Sequence, residues 1–276
     1  MTYQLQKSDE EIKEIVKDSY GKIAEKYLST PEIIEHTIDH SSCCETTTAA
    51  DECCRPATTE VRECCAPSNP VELNILTTEN FIPSFGCDTQ LISIAAPRSG
   101  EVVLDLGSGP GKDILAAAQL VGKNGKVYGV DMTDQMLQLA RDNAAKLEIS
   151  NAEFLKGEIT NLPIESDMID LIISNCVVNL VPDKNSVFKE SFRVLKAGGR
   201  FVISDMITLT DLQVNDQLTE DLYCACIGGA TSEIEYLNQM KEAGFSNVSH
   251  IRRSEQSHGS GDSEIRYAST IFVGYK

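Results

Sequence analysis

The chain has 276 residues, 24 basic against 42 acidic, and a formal net charge of −18. That length can bury one large core with appendages. The acidity argues against a nucleic-acid or anionic-membrane partner, either of which would need a basic face, and is read as a source of solubility.

The start, MTYQLQKSDEEIKEI, lacks an apolar signal core and is acidic where a transit peptide is basic, so a cytoplasmic protein is expected. Residues 8–28 space Ile12, Ile15, Val16, Ile23 and Tyr27 for a helix, with Gly21 expected to mark a bend. Residues 1–40 are therefore read as an N-terminal helical segment. From 41 to 70 the composition shifts to Thr, Ser, Glu and Pro with few large apolar residues, which reads as a flexible arm.

The arm carries three adjacent cysteine pairs, Cys43-Cys44, Cys53-Cys54 and Cys64-Cys65; the other four of the ten cysteines are Cys87, Cys176, Cys224 and Cys226. Adjacent cysteines close a strained ring ill suited to a structural staple. Without a secretion signal, thiols for soft-ion binding or redox work are the better reading.

From Gly100 short strands alternate with helices. EVVLDL, KVYGVD, AEFLKGE, IDLIISN and RFVISDMI read as strands; KDILAAAQLVG, TDQMLQLARDNAAKL and SVFKESFRVLKAG read as helices, the last ending at Gly198-Gly199. The apolar run at 169–181 is too broken by Asp170, Ser174, Asn175 and Asn179 to cross a membrane. After a loop at 208–230 come a helix, TSEIEYLNQMKEAGF, and two strands, NVSHIRRS and IRYASTIFVGY. This order predicts an α/β protein on the seven-stranded, Rossmann-like class I methyltransferase sheet. The expected division is a Rossmann-like domain at 71–207 and a small C-terminal α+β lobe at 208–276.

Asp105-Leu106-Gly107-Ser108-Gly109-Pro110-Gly111 lies between a strand and a helix, and Asp131, followed by Met132, closes the next strand. The glycines let a ligand approach the backbone, and a carboxylate at Asp131 can accept both hydroxyls of a ribose. Dinucleotide enzymes use G-x-G-x-x-G, with pyrophosphate on the helix N-terminus. Here the pattern is G-x-G-x-G behind Asp105, an acid that would repel pyrophosphate but suits a cationic sulfonium. The expected methyl donor is S-adenosylmethionine, with Gly157, Glu158 and Ile159 flanking the adenine. Asn175 and Cys176 fall at the carboxyl end of the fourth strand, where α/β sheets bind ligands. Cys176 alone would read as a small buried filler.

The stretch SNCVVNLVPDKNSVFKESFRVLKAGGRFVISD resembles the arsenite methyltransferases, as do DLGSGPGKD with VDMTDQM, the early VKDSYG, and CIGGA at 226–230. The resemblance implies that thiolates of Cys176 and Cys226 bind arsenite, with Cys87 a third ligand or disulfide partner. It also implies a thioredoxin-like or small-thiol reductant. The chemistry agrees, because soft trivalent arsenic exchanges hydroxyls for thiolates and its lone pair can attack a sulfonium methyl. Such a nucleophile carries no proton, so no general base is needed; the four histidines, His36, His40, His250 and His258, lie outside the sheet core on this reading.

Cys224 reads as a neighbour of Cys226 or a redox partner. Thiols of the arm could capture arsenic, relay electrons, hold another metal, or do little; His36 and His40 before Cys43 could form a zinc set or an exposed helical face. No metal cofactor, nucleic acid or membrane is expected as a partner. Two rival functions stay open: methylation of an organic acceptor such as a quinone or small thiol, and metalloid sequestration without catalysis.

Overall fold

The structure, a computed structural model, describes residues 7–29, 90–209, 223–258 and 265–276. Helix α1 (Asp9–Ser29) is opened by a capping box: Ser8 Oγ accepts from the Glu11 N–H, and the Glu11 carboxylate accepts from the Ser8 N–H at 2.7 Å. It runs through Gly21 as one helix, without a break. Gly21 sits 3.7 Å (measured to an added Cβ) from the Gln135 side chain, at the contact with a later helix.

The sheet is built from β1 (Val102–Leu106), β2 (Lys126–Asp131), β3 (Ala152–Lys156), β4 (Ile169–Asn175), β5 (Leu195–Thr208), β6 (Ser246–His258) and β7 (Ile265–Tyr275). Its order is β3-β2-β1-β4-β5-β7-β6; the first five strands are parallel, while β7 runs antiparallel to both β5 and β6. The C-terminal segment set apart as a lobe thus gives both of its strands to this same sheet, with β6 as the edge. Among the described residues, five helices pack on the sheet: α2 (Leu91–Ala95), α3 (Lys112–Val121), α4 (Asp134–Lys146), α5 (Lys184–Val194) and α6 (Glu233–Glu242). Helix α5 ends at Val194, short of the glycines expected to stop it. Leu195 already pairs with Ile169 across a bulge, so strand pairing overrides the helical propensity of the Leu-Lys-Ala that follows.

Both faces of the sheet are buried, as a largely parallel sheet requires. Val103, Ile114, Leu115, Val127, Leu171 and Val202 fill one face, and Leu104, Leu106, Ile172, Phe188, Phe201 and Tyr236 the other. A third apolar cluster sits where α1 comes over the carboxyl ends of the strands. Its members include Ile12, Val16, Cys176, Leu180, Met206, Tyr223 and Cys226. Among the described residues no helix is long and apolar enough to cross a membrane.

Candidate active site

The chain reverses direction in the sheet at β1, between β2 and β4, and a crevice opens at such a switch point outside the carboxyl ends. The cleft found there encloses about 1070 Å³, including its open mouth. Every residue expected to bind the methyl donor lines it: Asp105, Gly107, Ser108, Gly109, Asp131, Met132, Glu158, Ile159 and Asn175. Gly107 has φ +66°, and a Cβ there would fall 2.5 Å from the Val177 side chain, so only glycine lets the first turn close. Asp131 staples that turn to the second strand. One carboxylate oxygen accepts the Gly109 N–H at 3.0 Å and the other accepts the Thr133 N–H at 2.9 Å.

Three carboxylates, Asp105, Asp113 and Asp131, converge in the cleft. Burial, then the neighbouring Asp113 and Asp131, push Asp105 well above the usual carboxylate range; burial likewise raises Asp131 against its backbone donors. Asn175 donates to Asp113 at 3.0 Å. Ser108 Oγ is buried with no hydrogen-bond partner among the described residues. Of the two lysines at the cleft, Lys13 is engaged by Glu158 at 2.7 Å. An excess of buried acid over cation suits a ligand bearing a sulfonium and an ammonium, and is unsuited to a pyrophosphate. The residues present therefore fit S-adenosylmethionine.

The α1 wall was missed by sequence reasoning. Lys13, Val16 and Tyr20 line the cleft, and the Tyr20 hydroxyl donates to the Cys224 carbonyl at 3.0 Å. The motif VKDSYG holds Val16 and Tyr20 and was the available signal, but an amphipathic face does not say what it covers.

Beside the cleft two of the expected cysteines come into contact, Cys176 lining it and Cys226 packed behind. Cys176 follows β4 and is 5% exposed; Cys226 arrives from the turn after Tyr223 and is 2% exposed. The Cys226 thiol donates to the Cys176 carbonyl at 2.7 Å. Both cysteines have left-handed backbone, with φ of +61° and +63°, which costs a non-glycine residue roughly 1–2 kcal/mol each. Burial, then the nearby Asp205, push the Cys226 thiol well up, so it is protonated at neutral pH. Cys176 is disulfide-bonded, whereas Cys224 and Cys226 are reduced. Cys224 is only half-buried, so the two cysteines of this turn face different surroundings. Cys87, the pairs Cys43-Cys44, Cys53-Cys54 and Cys64-Cys65, and His36 and His40 lie outside the described residues. Among the described residues no group of three His, Cys, Asp or Glu is placed to hold a metal ion.

The strand order, the glycine turn stapled by Asp131 and the acidic cleft define a class I methyltransferase fold. A methyltransferase-domain family profile matches residues 97–244. The arsenite methyltransferase of Halobacterium salinarum is 44% identical over 163 residues, which is 59% of this chain and 42% of that protein. The human arsenite methyltransferase is 35% identical over 190 residues, covering 63% of this chain and 50% of its own length. Among solved structures, an arsenic(III) S-adenosylmethionine methyltransferase of Chlamydomonas reinhardtii is 31% identical with a TM-score of 0.65, over 76% of this chain and 75% of that one. The chain belongs to the arsenite methyltransferase family. It spans about half the length of the curated relatives it matches.

Proposed function

We propose that the protein methylates trivalent arsenic held by the thiols of Cys176 and Cys226. The observation that carries this reading is the meeting of these two cysteines, 50 residues apart in sequence, beside a cleft suited to a cationic methyl donor. Neither an organic acceptor nor a general base is needed to account for such a site.

Asp131 would accept the ribose hydroxyls, Glu158 and Ile159 would flank the adenine, and Asp105 with Asn175 would sit beside the methionyl end. Bound S-adenosylmethionine supplies an electrophilic methyl group. The raised Cys226 thiol is no handicap. Each As–S bond forms as an As–OH bond breaks, and the thiol proton leaves with the hydroxyl as water, so a protonated thiol is the competent form. The site then aligns the arsenic lone pair with the methyl, and proximity supplies much of the rate.

Transfer of the methyl to the lone pair formally oxidises arsenic to the pentavalent state. Two arsenic-bound thiolates closing to a disulfide return it to the trivalent state, giving up two electrons. A thioredoxin-like or small-thiol reductant then reopens that disulfide. The disulfide of Cys176 is made with neither Cys224 nor Cys226, so the cycle calls for a third cysteine, and we assign Cys87 the part of third ligand or disulfide partner. Arsenic speciation after incubation with arsenite, S-adenosylmethionine and a thioredoxin system tests the reading. Methylated arsenic from the wild type but not from Cys176→Ser is expected. A wild type that binds S-adenosylmethionine yet makes no methylated arsenic would overturn it.

A further inference from the structure

Next to the thiols lies a buried amide that neither the methyl-donor motif nor the arsenic ligands use. Asn179 stands in the single helical turn Val178–Leu180 just after Cys176 and is 0% exposed. Its side-chain Nδ2 donates to the Met206 carbonyl at 2.6 Å and to the Cys226 carbonyl at 3.3 Å. Its backbone N–H donates to Asp205 Oδ2 at 3.1 Å, and Asp205 Oδ1 accepts the Met206 N–H at 2.9 Å. Gly229 closes on it from the other side: a Cβ there would lie 1.9 Å from the Asn179 carbonyl oxygen. One residue thus ties together the end of β4, strand β5 and the turn that bears Cys226.

A leucine-sized side chain in place of Asn179 would leave the Met206 and Cys226 carbonyls without this donor. Burying an amide is costly unless all its groups are paired, and Asn179 Oδ1 has no hydrogen-bond partner among the described residues. What the amide supplies is geometry. Cys226 holds a left-handed backbone, an unfavourable state that relaxes unless neighbours restrain it. The grip on its carbonyl is such a restraint.

We propose that Asn179 is a positioning residue that fixes the Cys226 turn, and so sets the reach of the Cys226 thiol toward arsenic shared with Cys176. The second half of this rests on the arsenic-site reading above.

The test is site-resolved alkylation of the fully reduced protein, with and without arsenite, read by tandem mass spectrometry so that Cys226 is scored apart from the other cysteines. Binding of S-adenosylmethionine is measured on the same samples. Without arsenite, Cys226 in Asn179→Ala should alkylate about tenfold faster, and the arsenite concentration that half-protects it should rise about tenfold, the worth of one buried hydrogen bond. The affinity for S-adenosylmethionine should stay within about twofold, since its cleft is built by other residues. Gly229→Ala, whose added methyl would collide with the Asn179 backbone carbonyl and push that residue away from the Cys226 turn, should reproduce the pattern. Wild-type labelling and protection of Cys226 in both variants would overturn the proposal. So would parallel loss of S-adenosylmethionine binding and Cys226 protection, because that is general damage to the fold. If arsenite fails to protect Cys226 in the wild type, the arsenic-site reading falls, while faster alkylation in Asn179→Ala would still uphold the positioning of the turn.

Discussion

Replacing Asp205 by Asn removes a buried charge behind the thiols. Asp205 is 1% exposed, and its carboxylate accepts from the Met206 and Asn179 N–H groups and, at 3.2 Å, from the Tyr236 hydroxyl. The ionisable groups acting on it are Lys184 from α5, Tyr236 from α6, Tyr20 from α1 and the Cys226 thiol. Burial outweighs the donors and pushes the carboxyl from its ordinary 3.8 up to about 6. The folded state therefore keeps this proton where the unfolded chain has lost it. The stabilisation from that proton is complete below about pH 3.8 and is lost as pH rises through about 6. At about 1.4 kcal/mol per pH unit this amounts to about 3 kcal/mol over the whole window, and about 2 kcal/mol between pH 7 and pH 4.5.

Asn keeps one oxygen for the donors but turns an NH₂ toward another, a pH-independent loss of about 1–3 kcal/mol. Urea unfolding of both proteins under reductant, at about pH 7 and about pH 4.5, separates the two effects, since other carboxylates cancel in the difference. The wild type should gain about 2 kcal/mol on Asp205→Asn at the lower pH. A difference that stays constant within about 0.5 kcal/mol would refute the reasoning and mean that Lys184 keeps the carboxylate ionised at both pH values.

Other substitutions probe the cleft and its frame. Asp131→Asn should weaken S-adenosylmethionine binding about a hundredfold, two charge-assisted hydrogen bonds at about 1.5 kcal/mol each, as read by calorimetry. Glu101 meets Arg200 through two contacts of 2.6 and 2.9 Å, and although burial works upward, Arg200 holds its carboxyl below the usual range. Glu101→Gln removes the counter-charge of Arg200, which keeps its bonds to the Ala95 and Ala96 carbonyls, and should lower unfolding stability by about 2 kcal/mol, measured in urea, with S-adenosylmethionine affinity unchanged. Gly21→Ala should raise stability by about 0.5–1 kcal/mol in thermal melts, since the helix is unbroken there and the added methyl meets only ordinary contact with Gln135.

The sheet was legible because apolar β-rich runs such as 102–106 and 169–175 stand between clear helices. The donor cleft was legible because glycines and acids at strand ends have few other uses. Where α5 stops was not legible, because Leu195 obeys its strand partner Ile169 rather than its own propensity. The role of α1 was hidden for a related reason: its capping box and spacing announce a helix, yet nothing local tells that Lys13 will reach Glu158 across the cleft. Cys176 and Cys226 were paired through family resemblance, since no spacing rule brings together residues so far apart. Asn179 passed as one polar interruption of an apolar run; only the fold reveals how many segments it ties.

The central claim, that arsenic is methylated while held by Cys176 and Cys226, is met most directly by a single anaerobic turnover without added reductant. Pre-reduced protein is loaded with one equivalent each of arsenite and S-adenosylmethionine, and methylated arsenic and new disulfides are counted and mapped, beside Cys226→Ser. The account predicts one new disulfide at the arsenic-site cysteines for each methyl transferred, with neither product from Cys226→Ser although it still binds S-adenosylmethionine. Methylation that proceeds without loss of these thiols, or undiminished in Cys226→Ser, would contradict it.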